Sequence, residues 1–176
     1  MPRNVIGWVL PAILAGGLAF ADDAPTRVVS LDYCADQYVL RMLPRERILA
    51  VSPDAAKSFS YMQRAAIDVP VVRPSAEDVL VLNPDLVVRS YGGGPGAVEF
   101  FERAGIAVLQ VPFTDTLPAI RNATLVMSEA LGVPATGEQI VADFDQRLEA
   151  VQTIGRTMRQ QRDRTATALS QAGRRQ

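Results

Sequence analysis

Short apolar runs alternate along the chain with segments whose apolar residues recur every three or four positions. Val28-Val-Ser-Leu31, Ile48-Leu-Ala-Val-Ser52, Val69-Pro-Val-Val72, Asp85-Leu-Val-Val-Arg89 and Ala107-Val-Leu-Gln-Val111 are brief, rich in β-branched residues and almost continuously apolar. That is the pattern of strands buried on both faces. The segments between them carry helix signals. Asp32 can cap a helix that Pro44 stops, Ser75-Ala-Glu-Asp78 is a capping box whose helix ends at Asn83-Pro84, and Pro95 to Arg103 forms a helix closed by Gly105. Leu117, Ile120, Thr124, Met127 and Leu131 then keep one helical face apolar up to a stop at Gly132. Thr136-Gly-Glu-Gln139 opens a further helix whose stripe, Ile140, Phe144, Leu148 and Val151, fades beyond Gly155. This alternation predicts an α/β fold, a single Rossmann-like lobe with a five-stranded, mainly parallel sheet followed by a long helix.

Composition adds boundaries. With 48% hydrophobic residues among 176, the chain can bury the core of one domain. Arg3 supplies a positive start, Val5 to Leu18 is apolar, and Ala19-Phe20-Ala21 is a small-x-small cleavage site. Residues 1–21 therefore read as a secretory signal that leaves Asp22 first, since an apolar stretch of about 14 residues is too short to span a bilayer. Cys34 lies too far from that site to carry a lipid. Charge is uneven: residues 22–151 hold eighteen acidic against eleven basic side chains, whereas residues 152–176 hold six arginines against Asp163. The break divides the chain into an α/β lobe over 22–134, a connecting helix over 135–155 and a basic tail over 156–176 that is expected to be poorly ordered.

Several chemistries are excluded. The chain has no histidine and one cysteine, so it can build no Ser-His-Asp triad, Cys-His dyad, imidazole-bound metal, intrachain disulfide or cysteine-rich zinc site. Gly92-Gly-Gly-Pro-Gly96 is not GxGxxG and follows the fourth strand, and the only lysine, Lys57, has no Walker context. It reads as a flexible turn leaving room for a large ligand. Asp143 and Asp145 read as solvated charge, and Cys34 as a small buried hydrophobe. In an open parallel sheet, ligands meet the loops at the carboxyl ends of the strands. Here those are Asp32-Tyr33, Pro53 to Lys57, Arg73-Pro74, Ser90 to Gly94 and Phe113-Thr114. Asp32, Tyr33, Arg73, Tyr91, Gly92 and Phe113 are the candidate ligand contacts, rings and a cation suited to a bulky, partly anionic ligand. No catalytic or metal-ligating residue is assigned.

The runs TRVVSLDYCADQYVLRMLPRERILAVS, PVVRPSAEDVLVLNPDLVV and GIAVLQVP, with the long helix after them, resemble the first lobe of the periplasmic-binding proteins that serve ABC importers of iron-siderophores, haem and cobalamin. The resemblance covers Arg27 to about Val151 and is most specific from Ser75 to Val88. It implies two α/β lobes joined by a long helix with the ligand between them, and therefore a second lobe that this chain lacks through truncation or a shifted reading frame. It implies a monomeric, non-enzymatic periplasmic component that binds a ferric siderophore, haem or cobalamin. Partnership with an inner-membrane ABC permease is implied too, with Glu77 at the docking surface. The cleft tryptophans of cobalamin-binding members have no counterpart, since the one tryptophan is Trp8. The competing expectations are a secreted α/β interaction domain and a chelatase-like enzyme; nucleic acid is not an expected partner.

Overall fold

The computed structural model describes residues 24–174, so the expected signal at residues 1–21 lies outside the described residues. The elements run β1 (Val28–Ser30), α1 (Tyr33–Met42), β2 (Ile48–Ala50), α2 (Ala76–Leu80), β3 (Leu86–Arg89), α3 (Ala97–Arg103), β4 (Ala107–Gln110), α4 (Leu117–Ala130) and α5 (Pro134–Gly173). The strands form one parallel sheet in the order β2-β1-β3-β4. The α/β architecture is as expected, with four strands where five were expected. Val69 to Val72 touches the sheet only through a parallel bridge between Val51 and Val71. Val51 donates to the Pro70 carbonyl at 2.9 Å and Val72 to the Val51 carbonyl at 2.9 Å. Pro70 has no N–H to extend that ladder, so the segment stays an edge contact.

Two of the expected helix caps form: Asp32 accepts from the Ala35 amide at 3.1 Å and Ser75 from Asp78 at 3.3 Å. Thr116, which was not among the expected caps, accepts from Ala119 at 3.3 Å, and Thr136, expected to open the last helix, lies inside α5, which starts at Pro134. Gly105 and Gly132 take left-handed φ of 77° and 69° after α3 and α4, as helix-ending glycines do. Alternate strand residues point to opposite faces and build two cores. Val28, Leu86 and Val88 meet Val39, Met127 and Leu131 from α1 and α4, while Val29 and Val87 meet Val79 and Phe101 from α2 and α3. Burying one side chain the size of Phe101 contributes roughly 2 to 3 kcal/mol.

The Asn83-Pro84-Asp85 turn locks the start of β3 to the residues just before β1. Asp85 accepts from the Thr26 amide at 2.7 Å and the Arg27 amide at 3.0 Å, while the Arg27 guanidinium donates to the carbonyls of Leu82 and Asn83. Burial opposes ionisation of Asp85, but the Thr26 and Arg27 amides outweigh it and hold the carboxyl below its ordinary value.

Past the lobe, α5 differs from expectation in length. The connecting helix expected over 135–155 starts at Pro134, and residues 156–173, expected as a poorly ordered tail, continue it without a break. At 1.5 Å per residue a 40-residue helix is about 60 Å long, whereas its partner α4, with 14 residues, is about 21 Å. Arg121 pairs with Asp145 and lies over the Phe144 ring at 5.2 Å, and these contacts mark where α5 leaves the lobe. Val151, Ile154 and Met158 beyond them are exposed.

Candidate ligand-binding rim

In the order β2-β1-β3-β4, the chain steps outward from β1 in one direction to β2 and in the other to β3 and β4. The crevice between β1 and β3 is therefore the topological switch point, where open α/β sheets take their ligands. The loops flanking it are Leu31 to Tyr33 and Ser90 to Gly94.

Asp32, expected as a ligand contact, fills that crevice from within. It is buried, and one oxygen caps α1 while the other accepts from the amides of Ser90, Tyr91 and Gly92 at 2.6, 2.9 and 2.8 Å. A carboxylate at the focus of three amides supplies the anion that such a backbone nest favours. Asp32 thus positions the rim instead of facing solvent. Gly92 is buried as well, and a Cβ there would overlap the Leu31 carbonyl.

The ring residues sit outside this core. Tyr33, half-buried at the start of α1, meets Phe59 edge-on with centroids 5.6 Å apart. Phe59, from the long loop after β2, was absent from the sequence candidates; that loop was placed at the rim only as far as Lys57. Tyr91 is 59% exposed, and burial, followed by the charges of Asp32, Cys34 and Asp54, pushes its phenol above the ordinary value while a hydrogen bond with the Tyr33 backbone opposes the shift. Its hydroxyl stays protonated at neutral pH. Phe113, after β4, is 94% exposed and stands apart from the Tyr33–Phe59 pair. Arg73 is exposed and pairs at 3.4 Å with Asp78 of α2, a surface ion pair of small energy that leaves most of its guanidinium open to solvent. Glu77 lies exposed in the first turn of the same short helix.

Beneath the rim, Cys34 is half-buried, and burial, then the charge of Asp32, raises its thiol, which leaves it a poor nucleophile. Asp36 is buried one helical turn further in, where Ser30 and Ser52 donate to it at 2.7 and 2.5 Å. Burial raises its carboxyl despite those bonds. Among the described residues no three cysteine or acidic side chains gather as a metal-holding group. At the rim, Tyr33, Phe59 and Tyr91 offer aromatic rings and phenol hydroxyls.

No family model and no curated protein matches the chain. Solved structures do. A periplasmic haem-binding protein from Pseudomonas aeruginosa is 25% identical with a TM-score of 0.60, over 72% of this chain and 45% of its own. The haem-binding protein RhuT from Roseiflexus sp. RS-1 is 27% identical with a TM-score of 0.56, over 70% and 48%. The vitamin B12-binding protein BtuF of Vibrio cholerae is 24% identical with a TM-score of 0.58, over 74% and 51%. These neighbours are binding proteins, not enzymes. Over a span equal to about half of their length, the chain is similar to the periplasmic haem- and vitamin B12-binding proteins.

Proposed function

We propose that the chain is the first lobe of a periplasmic solute-binding protein that delivers a metal chelate, such as haem or a ferric siderophore, to an ABC importer. The observation that carries this reading is the rim: Tyr33 and Tyr91 flank the β1/β3 switch point beside Phe59, on a fold shared with haem- and vitamin B12-binding proteins. Flat aromatic surface with a hydroxyl at its edge suits a large conjugated ligand. In this reading Arg73 and Phe113 border the ligand, residues 1–21 are the export signal, and Glu77 contacts the permease. A second lobe closes the other side. Pockets that hold ligands well bury about 70 to 90% of the ligand surface, so one lobe alone binds weakly.

Titration of the protein with haemin, ferric siderophores and cyanocobalamin, followed by absorbance and tyrosine fluorescence, tests the reading. Saturable binding that weakens in Tyr33→Ala and Tyr91→Ala is expected. Binding unaffected by both substitutions places the ligand elsewhere, and no response to any of the three chelates refutes the assignment.

A further inference from the structure

The two edges of the sheet differ. On the β2 side, the Val69 to Val72 segment meets the chain through one bridge, its Pro70 has no N–H, and Asp68 and Arg73 flank it with charge. On the other side β4 ends the sheet, with no described strand beyond it. The Val111 amide donates to the Arg89 carbonyl at 2.7 Å, so by alternation the main chain of Ala107, Leu109 and Val111 faces β3 while that of Val108 and Gln110 turns outward. No residue from Ala104 to Thr114 is charged. Ala107 and Gln110 are exposed, Val108 and Leu109 are half-buried, and Phe113, just past the strand, is 94% exposed. Native sheets usually guard an edge with charges, prolines or a covering element, and β4 has only Pro112 at its end.

We propose that β4 pairs edge to edge with β4 of a second copy, antiparallel and with the two-fold axis at Leu109, in place of the monomer that the sequence resemblance implies. The outward groups are complementary to themselves in that register. Val108 lies opposite Gln110 of the other copy, each such pair exchanges two main-chain hydrogen bonds, and the two pairs give four. The ladder stops there because Pro112 has no N–H and the Ile106 amide already donates to the Phe101 carbonyl at 2.9 Å. With no charge along the strand, like residues meet without repulsion. The same register sets Phe113 opposite Gly105 of the second copy, where a Cβ would find nothing within 4 Å, so an exposed ring gains an open glycine to cover. Because the paired strands run in opposite directions, the two rims face opposite ways and neither copy covers the other's Tyr33 and Tyr91. Four bonds and two rings make a weak dimer that forms and separates with concentration.

Sedimentation velocity over a concentration series, with amide hydrogen exchange at its two ends, tests the pairing. The wild type is expected to shift from monomer to dimer as concentration rises, and the amides of Val108 and Gln110 to exchange more slowly at the high end while those of Gln160 to Thr165 in α5 do not change. Val108→Pro removes the outward N–H at a position where an edge strand tolerates proline, and should weaken association roughly tenfold or more. Phe113→Ser changes a fully solvated ring and should weaken it severalfold. A monomer at every concentration, which leaves the edge to an extended peptide or to water, overturns the proposal. So does a dimer in which the Val108 and Gln110 amides exchange as fast as in the monomer, since the copies then meet elsewhere. Should Val108→Pro fail to fold, wild-type exchange and Phe113→Ser decide: a dimer unweakened by Phe113→Ser and without slowed edge amides refutes the pairing.

Discussion

Four amides converge on Asp32, one from α1 and three from the loop after β3, and this fixes the rim. Gly92 packs so closely under Leu31 that a methyl group there would displace the Leu31 backbone just after β1, whereas a Cβ at Gly94 would meet nothing. Gly94→Ala should therefore cost only the left-handed backbone strain, about 1 to 2 kcal/mol, and Gly92→Ala clearly more, as read from urea unfolding. Asp36 gives a second residue-level expectation. Its carboxyl is raised in the folded state, so the native protein holds that proton more tightly than the unfolded chain. Stability from this group is full below the ordinary value of 3.8 and falls as pH rises towards the native value. Denaturation midpoints between pH 3 and pH 7 should show that decline in wild type and a smaller one in Asp36→Asn. Neither role was legible in the sequence. Asp32 could be placed at a strand end and at a helix cap, but the three amides that enclose it come from 58 to 60 residues away.

At the scale of elements, local chemistry set most boundaries because caps and stops act within one turn. The exceptions are long-range. Val69 to Val72 has strand composition, but its place at the sheet edge and the missing N–H of Pro70 leave it a single bridge. α5 runs on past its fading apolar stripe because the stripe measures packing, and a helix can continue where packing stops. What holds α5 to the lobe is its first half, where Gly137 lies against Ser128 and the Thr124 carbonyl with no room for a Cβ. Gly137→Val should therefore push α4 and α5 apart and cost about 2 to 4 kcal/mol, whereas Ile154→Ser, on the exposed half, should stay within about 0.5 kcal/mol. Thermal unfolding of the two variants checks this, and similar losses would mean that the projecting half is packed against something in solution.

For the whole molecule, strand order decides where chemistry can sit, and the alternation of short strands and helices was enough to name the loops that form the rim. It did not reveal which side chains within those loops face outward. Tyr33 is half-buried, Tyr91 is exposed, Arg73 pairs at the surface with Asp78, and Phe113 is almost fully exposed. Those outcomes depend on neighbours that sequence spacing does not specify. The buried tie between Asp32 and the β3 loop also has a kinetic side. One carboxylate holds the start of α1 and the start of the glycine loop together, so, on the proposed function, the tyrosines on either side of the crevice are in place before a solute arrives. Encounter should then require no prior rearrangement: in stopped-flow traces the observed rate should climb linearly with solute concentration, as in a one-step association. Asp32→Asn frees the loop from part of that tie. The variant's rate should level off at high concentration, limited by the time the loop takes to find its place.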